Sequence, residues 1–456
     1  MAADQQITEV VDFNPPRPIK RGAVAPFVDM AALPENQRDI AYVSEREFSG
    51  GGSRFQNGDT LFARITPCLE NGKTAKVNSL PAGSIAHGST EFIVMAAKAP
   101  EYDEDYVYYL ARHPDFRAFA EARMEGTSGR QRVSWQALSD FSFPFPSSDQ
   151  RKVIGSILRK IDDKIDLNRR INQTLEAMAQ AIFKSWFVDF DPVKAKITAI
   201  ERGEDPLRAA MRAISGKTNA ELDQMPREQH DQLADTAALF PDAMEGSVLG
   251  EIPRRWKVVP ASALIEFNPK ELLRKGTVAP YLDMASLPTS GSWAEPPVPR
   301  EFGSGMRFRN GDALLARITP CLENGKSAFV QNLPDETVGW GSTEFIVMRS
   351  KNPIPREYSY LLVRHAAFRE HAIRSMTGTS GRQRAQADAV AEFKVVSPSE
   401  NSVWFAFSHL LESCFKVIKS QSETVEKLAE LRDTLIPQLL SGELTTPSDL
   451  NHGESQ

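Results

Sequence analysis

The chain has 456 residues, of which 41% are hydrophobic and 25% charged, with three cysteines and a formal net charge of −6. That length exceeds one ordinary domain and those proportions are of a globular chain, so two to four domains are expected. No run approaches the ~20 apolar residues of a membrane span, the N-terminus MAADQQITEVVDF lacks a signal-peptide layout, and so few cysteines suit a reducing, cytoplasmic setting.

The net charge argues against a nucleic-acid partner until it is counted by region. Residues 1–148 carry −4, 149–200 carry +3, 201–250 carry −5, 251–397 carry +5 and 398–456 carry −5. Any contact with DNA must therefore depend on where arginines sit rather than on bulk charge.

In chain order, Thr60-Leu61-Phe62-Ala63 and Glu91-Phe92-Ile93-Val94-Met95 read as buried strands, with a turn over Pro67–Gly72. The stretch Asp105 to Arg123 places Val107, Leu110, Phe116 and Phe119 at helical spacing and should break near Pro114. Pro144-Phe145-Pro146 closes this α/β globule. From Asp149 to about Phe190 the apolar residues Ile154, Leu158, Ile161, Ile165, Ile171, Leu175, Met178 and Ile182 step by threes and fours, which predicts a long amphipathic helix with Asp149 as N-cap. Residues 197–250 form an acidic, Ala-rich connector expected to make short helices.

A second globule then repeats the first. Arg54 to Val77, RFQNGDTLFARITPCLENGKTAKV, returns as Arg307 to Val330, RFRNGDALLARITPCLENGKSAFV, with roughly four-fifths of the positions identical. Phe13-Asn14-Pro15 returns as Phe267-Asn268-Pro269, Gly88 to Met95 as Gly341 to Met348, and Gly126 to Arg132 as Gly378 to Arg384. Nothing before Phe13 matches Trp256-Lys257-Val258-Val259, which leaves the first copy one strand short. After the second copy, Leu411, Ile418, Val425 and Leu439 recur at multiples of seven, with Leu428 and Leu435 between them. This heptad seam is imperfect because Arg432 occupies one position. Two such helices are natural partners in an antiparallel coiled coil. The tail from 446 to 456 is expected to be disordered.

Several motifs invite catalytic readings. Gly72-Lys73-Thr74 and Gly325-Lys326-Ser327 end like a P-loop, but Pro67 and Pro320 stand where its first glycine is needed. Asn14-Pro15-Pro16 resembles an adenine-methyltransferase motif, yet Arg17 replaces the stacking aromatic and the second copy reads Asn268-Pro269-Lys270, so a turn is the better reading. Cys68, Glu70 and His87 could be drawn as a triad, but Trp340 replaces the histidine in the second copy, which favours packing. No catalytic set and no metal-ligand spacing is present among the histidines and cysteines.

The order globule, long helix, globule, long helix resembles the DNA-specificity (S) subunit of type I restriction-modification systems. The carriers of the resemblance are QRKVIGSILRKIDDKIDLNRRINQTLEAMAQAIFKSWFVDFDPV (150–193), Leu249-Gly250-Glu251-Ile252-Pro253-Arg254-Arg255-Trp256, and Leu435-Ile436-Pro437-Gln438-Leu439-Leu440-Ser441-Gly442-Glu443. It covers nearly the whole chain. It implies a mixed α/β fold with target-recognition domains at 1–148 and 251–397, spacer helices at 149–196 and 398–445, and a connector at 197–250. It further implies double-stranded DNA and two methyltransferase subunits as partners, with restriction/translocase subunits in the full complex. S-adenosylmethionine, ATP and Mg would be bound by those partner chains and no cofactor by this one. The chain would not be an enzyme by itself.

The residues expected to touch DNA lie in polar loops. They are Arg64, Asn71, Lys73, Ser89, Thr90, Thr127, Ser128, Arg130, Gln131 and Arg132. Their equivalents are Arg317, Asn324, Lys326, Ser342, Thr343, Thr379, Ser380, Arg382, Gln383 and Arg384. Arginine pairs with guanine and glutamine or asparagine with adenine, while Lys, Ser and Thr commonly hold phosphate. Near-identical copies predict a split, near-palindromic target, its halves differing at a base or two because of 35–53 against 289–306 and His87 against Trp340. The rival readings are a tandem-repeat enzyme with two active sites and a protein-binding scaffold.

Overall fold

The computed structural model describes residues 4–127, 129–379 and 381–444. It forms two compact units: residues 1–168 with 424–456, and residues 169–423. Ser128, Ser380 and the tail expected to be disordered lie outside the described residues.

In the first unit, apolar segments with paired neighbours build two four-stranded sheets. One runs in spatial order Val11–Phe13, Phe92–Ala97, Thr60–Ala63, Thr74–Lys76, and is antiparallel throughout. The other runs Ser44–Glu47, Val24–Val28, Ala86–Gly88, Arg54–Phe55, with one parallel pairing between its central strands. Thr60–Ala63 is buried at every position, which is why it reads as a continuous apolar strand rather than an alternating one. The expected helical stretch begins earlier than its periodicity suggests, as Pro100–Arg112, and restarts as Pro114–Glu121. Pro114 ends the first helix because it has no N–H to donate, and it opens the second because its φ suits a first turn.

The first copy is not a strand short. Gln5–Gln6 pairs antiparallel with Ser142–Phe143, as Lys257–Pro260 pairs with Lys394–Ser397 in the second. Two glutamines carry no apolar alternation, so only the pairing reveals the strand.

The first long helix spans Ser148–Phe187. Its N-cap is Ser147, not Asp149. Ser147 Oγ accepts from the Gln150 N–H at 3.4 Å, and Gln150 Oε1 accepts from the Ser147 N–H at 2.9 Å. This reciprocal capping box satisfies two donors that an aspartate two residues later could not reach. The second long helix spans Asn401–Leu440. Within the first unit, Ile154 and Leu158 share one core with Tyr106, Tyr109, Ile436, Leu439 and Leu440. Arg151 forks onto Asp103 at 2.6 and 3.1 Å, and Arg38 reaches Asp163 at 2.7 Å, so ion pairs as well as apolar packing fix globule to helix.

The second unit repeats both sheets. Their spatial orders are Ile265–Phe267, Phe345–Ser350, Ala313–Ala316, Ser327–Phe329, and Val298–Glu301, Val278–Leu282, Gly339–Gly341, Met306–Phe308. The connector becomes four helices, Asp191–Glu201, Pro206–Ser215, Asn219–Asp223 and Arg227–Ala238, followed by a hairpin of Met244–Ser247 and Gly250–Pro253. In this unit the long helices run antiparallel: Asn172 Nδ2 donates to Ser422 Oγ at 2.9 Å, while Trp186 lies 5.6 Å from Phe407 and Phe187 stacks 4.8 Å from Trp404.

Candidate nucleic-acid interface

Three loops of the first unit converge on one frame of backbone bonds. The Arg64 N–H donates to the Glu91 carbonyl at 3.0 Å, and the Val133 N–H donates to the Arg64 carbonyl at 3.0 Å. The Thr66 N–H donates to the Gln131 carbonyl at 3.1 Å, and Thr66 Oγ1 accepts from the Gln131 N–H at 3.1 Å. The segment after the strand ending at Ala63, the segment Gln131–Val133 and the loop before Phe92 are thus sewn together.

From this frame projects a tight hairpin. Glu125 and Arg132 exchange both backbone bonds, at 2.9 and 2.8 Å, and the Arg130 N–H closes the tip on the Thr127 carbonyl at 2.9 Å. Gly126 at φ +128° and Gly129 at φ +80° make the turn. A Cβ on Gly126 would sit 3.0 Å from the Arg130 carbonyl oxygen, so only glycine closes this loop without shifting it. Thr127 and Arg130 are exposed at the tip. The second unit is built on the same bonds. Thr377 and Arg384 exchange theirs at 3.0 and 2.9 Å, Arg382 N–H donates to the Thr379 carbonyl at 3.0 Å, and Thr319 pairs with Gln383 as Thr66 does with Gln131.

The base of each hairpin is locked by charge. Arg132 Nε and Nη2 donate to the Glu91 carboxylate at 2.7 to 2.9 Å, and Arg384 Nε donates to Glu344 at 2.9 Å with its Nη2 2.8 Å away. These hydrogen bonds raise both guanidinium groups above the ordinary arginine range. Such forked pairs set orientation as well as energy. Arg132 and Arg384 are thus the hairpin anchors, while Arg130 and Arg382 carry their charge into solvent.

The other expected contacts are distributed unevenly. Ser89 and Ser342 lie beside the frame, each Oγ accepting from the N–H of the glutamate two residues on, at 3.1 Å. Thr90 and Thr343 are exposed there. Asn71 and Lys73 sit at the close of the Pro67–Gly72 turn, the Lys73 carbonyl accepting from the Ala63 N–H at 3.1 Å. Asn71 Nδ2 reaches Glu35 at 3.4 Å, and Lys73 Nζ donates to the Met30 carbonyl at 3.3 Å. Lys326 Nζ likewise donates to the Met284 carbonyl at 2.8 Å, and Asn324 is exposed. These lysines tie down a neighbouring loop, so the structure groups Arg64, Ser89, Thr90, Thr127, Arg130, Gln131 and Arg132, but not Asn71 or Lys73.

Sequence reasoning missed Glu91 and Glu344, although the repeated Ser-Thr-Glu could have marked them as partners for a repeated arginine. Arg317 is also more constrained than Arg64. Its Nη2 donates to Gln386 Oε1 at 3.2 Å and its Nε lies 3.9 Å from Glu344.

The rejected motifs find structural work. Asn14, at φ +48°, pairs its backbone N–H and its Oδ1 with Val94 at 2.8 and 2.9 Å, and Asn268 does the same with Val347. His87 is 4% exposed and lies 3.2 Å from the Arg46 carbonyl, edge-on to Phe27 and Phe48. Trp340, 5% exposed, donates to the Arg300 carbonyl at 3.3 Å between Tyr281 and Phe302. The two aromatics do the same job inside the sheet, so they cannot distinguish the bases of two half-sites. Among the described residues no cluster of His, Cys, Asp or Glu could hold a metal ion, and no helix is long and apolar enough to cross a membrane.

The family described as type I restriction modification DNA specificity domain matches residues 25–177. The type I restriction enzyme HindI specificity subunit of Haemophilus influenzae is 27% identical over 409 residues, 85% of this chain and 87% of that protein. The EcoEI specificity subunit of Escherichia coli is 27% identical over 30% of this chain and 23% of its own. The crystal structure of a type I restriction-modification system S subunit from M. genitalium aligns over 96% of both chains, with TM-score 0.49 and 12% identity.

Proposed function

We propose that this chain is a type I restriction-modification specificity subunit and that its two repeat copies are paired DNA-reading modules. Residues 1–148 and 251–397 act as the target-recognition domains. The long helices Ser148–Phe187 and Asn401–Leu440, within the spacer segments expected at 149–196 and 398–445, set their separation, with 197–250 as connector. Each domain takes one half of a split double-stranded target, with half-site centres about one helical turn, roughly 34 Å, apart.

One observation carries the reading: each unit builds the same glycine-closed hairpin, anchored by an arginine-glutamate fork and tipped by an exposed arginine. A rigid base with a free guanidinium suits insertion into the major groove, where Arg forks onto the O6 and N7 of guanine. Thr127 and Thr379 at the same tips suit phosphate. Enrichment of arginine at these two positions lets a chain of net charge −6 engage DNA locally.

A specificity subunit is the non-catalytic component of its complex. Methyl transfer, cleavage and ATP-driven translocation fall to two methyltransferase subunits and to restriction/translocase subunits, which bind S-adenosylmethionine, ATP and Mg, in the cytoplasm. The test is a gel shift of the chain with its methyltransferase partner on genomic fragments, paired with methylome sequencing of the host. Expected are salt-sensitive binding and one methylated bipartite motif whose halves nearly match in inverted orientation. Binding that ignores sequence, or two plainly dissimilar half-sites, overturns the proposal.

A further inference from the structure

The two units diverge at one place beside the hairpin. Arg132 and Arg384 are equivalent, but the next residues read Val133-Ser134-Trp135 in the first copy and Ala385-Gln386-Ala387 in the second. In the second unit Gln386 restrains the frame arginine, accepting from Arg317 at 3.2 Å and donating to Thr377 Oγ1 at 3.3 Å. In the first unit Ser134 cannot do this. Its Oγ is occupied as the cap of the helix Trp135–Ser139, accepting from the Ala137 N–H at 3.1 Å. Arg64 is left with no side-chain hydrogen bond or ion pair among the described residues; the Nε of both arginines is buried without a hydrogen-bond partner, so the difference lies in the Gln386 bond and the Glu344 pairing that only Arg317 has.

Trp135 follows two residues after Val133, whose N–H is bonded to the Arg64 carbonyl at 3.0 Å, so both residues belong to the same frame. Its indole stacks on Phe13, with centroids 6.5 Å apart and 25° between planes, and remains 38% exposed. The packing explains one face of the ring: Phe13 is buried where its equivalent Phe267 is only half-buried. It does not explain why a tryptophan should leave its other face in water on the same frame as Arg64.

We propose that Trp135 and Arg64 are specificity-determining residues of the first recognition domain, reading a base step that the second domain reads differently or not at all. The planar guanidinium of Arg64 suits guanine, and the exposed indole suits an apolar edge such as the thymine methyl. The halves of the target then differ beneath this pair, and not at His87 and Trp340, which are buried. The inference rests on the reading of the hairpins as DNA contacts.

The test uses the full chain with its methyltransferase partner and reads the methylated motif. Replacing Ser134→Gln with Trp135→Ala installs the second copy's residues in the first. The expected result is a change at one or two adjacent positions of one half-site, toward the base found in the other half, with the second half unchanged. Trp135→Ala alone should lower affinity for the wild-type target roughly 5- to 100-fold. Trp135→Phe keeps a ring on Phe13 and guards against loss of folding; it should retain the motif while modifying the first half-site several-fold more slowly. Arg130→Ala separates the two levels of the argument. If it alters the first half-site while the swap and Trp135→Phe change neither motif nor rate, Trp135 is structural and this inference fails. If Arg130→Ala also leaves motif and affinity intact, the hairpin reading itself fails.

Discussion

Arg432 Nη1 donates to Asp162 Oδ1 at 2.7 Å, and both side chains are only 3% exposed. The arginine that breaks the heptad seam is therefore not a flaw in it. Asp162 belongs to the other long helix, and its second oxygen accepts from Tyr109 OH at 2.7 Å, so one buried carboxylate joins both helices to the globule of the first unit. Desolvating two charges costs most of what their attraction returns, so the pair contributes register rather than much net stability.

Asp162→Ala should therefore destabilise the first unit by about 3 kcal/mol or more, because it strands a buried guanidinium with only Asp433. Asp162→Leu and Arg432→Leu combined with Tyr109→Phe, which removes the hydroxyl that would otherwise lose its acceptor, should recover to within ~1 kcal/mol of wild type. Urea denaturation of the three proteins checks this; a triple variant as unstable as the single one would show that the ion pair itself stabilises.

The second unit uses the same device with different residues. Tyr360 OH donates to Glu176 Oε1 at 2.6 Å, and Gln180 Nε2 donates to the same oxygen at 3.1 Å. Tyr360→Phe keeps the ring packing and removes one of those donors. The cost should be about 1–3 kcal/mol, that of an under-satisfied buried carboxylate. Denaturation followed by Trp fluorescence would measure it, and a shift below a few tenths of a kcal/mol would mean that water or another donor replaces the hydroxyl.

These pairs mark where the sequence could and could not be read. The repeat itself is plain, since roughly four-fifths identity over 24 positions needs no geometry, and Thr60–Ala63 and the long helices follow from burial acting on periodic apolar residues. Polar roles were not plain, because a side chain's partner is set by contacts across tens of residues. Lys73 has the spelling of a phosphate ligand, yet its ammonium is aimed at Met30, 43 positions away. Arg432 looked like a defect because Asp162 lies 270 residues off. Ser147 and Asp149 are both good caps by composition, and only the return bond from Gln150 decides between them.

Acid should loosen the first unit through His113. This histidine is 3% exposed, its Nδ1 accepts from the Asp115 N–H at 3.1 Å as the cap of Pro114–Glu121, and its Nε2 has no partner among the described residues. Burial lowers its proton affinity, and the nearby Asp115 only partly opposes this. The unfolded chain then binds the proton more tightly than the folded one, so stability rises with pH up to the unfolded value near ~6.5 and is lost as pH falls below it. Protonation would also remove the acceptor that caps the helix. The urea midpoint should drop between pH 7.5 and 5.5 more steeply in wild type than in His113→Gln; equal slopes would assign the acid sensitivity elsewhere.

The hairpin tips offer the sharpest functional separation. Arg130 and Arg382 are exposed and tied to the frame only through backbone bonds, whereas Arg132 and Arg384 are clamped to glutamates. Arg130→Ala should therefore leave the fold intact, weaken target binding by ~1–3 kcal/mol and relax specificity within one half-site only. Arg382→Ala should do the same to the other half, and the two effects should add, because the residues sit in separate units with no shared partner. Arg132→Ala releases the hairpin base instead, so its loss of affinity should spread over the whole first half-site and be reproduced by Glu91→Ala, which touches the loop only through that fork. Competition gel shifts against a panel of single-base variants of the target distinguish these outcomes. If Arg130→Ala and Glu91→Ala gave the same profile across the panel, the tip and the anchor would not have separable roles.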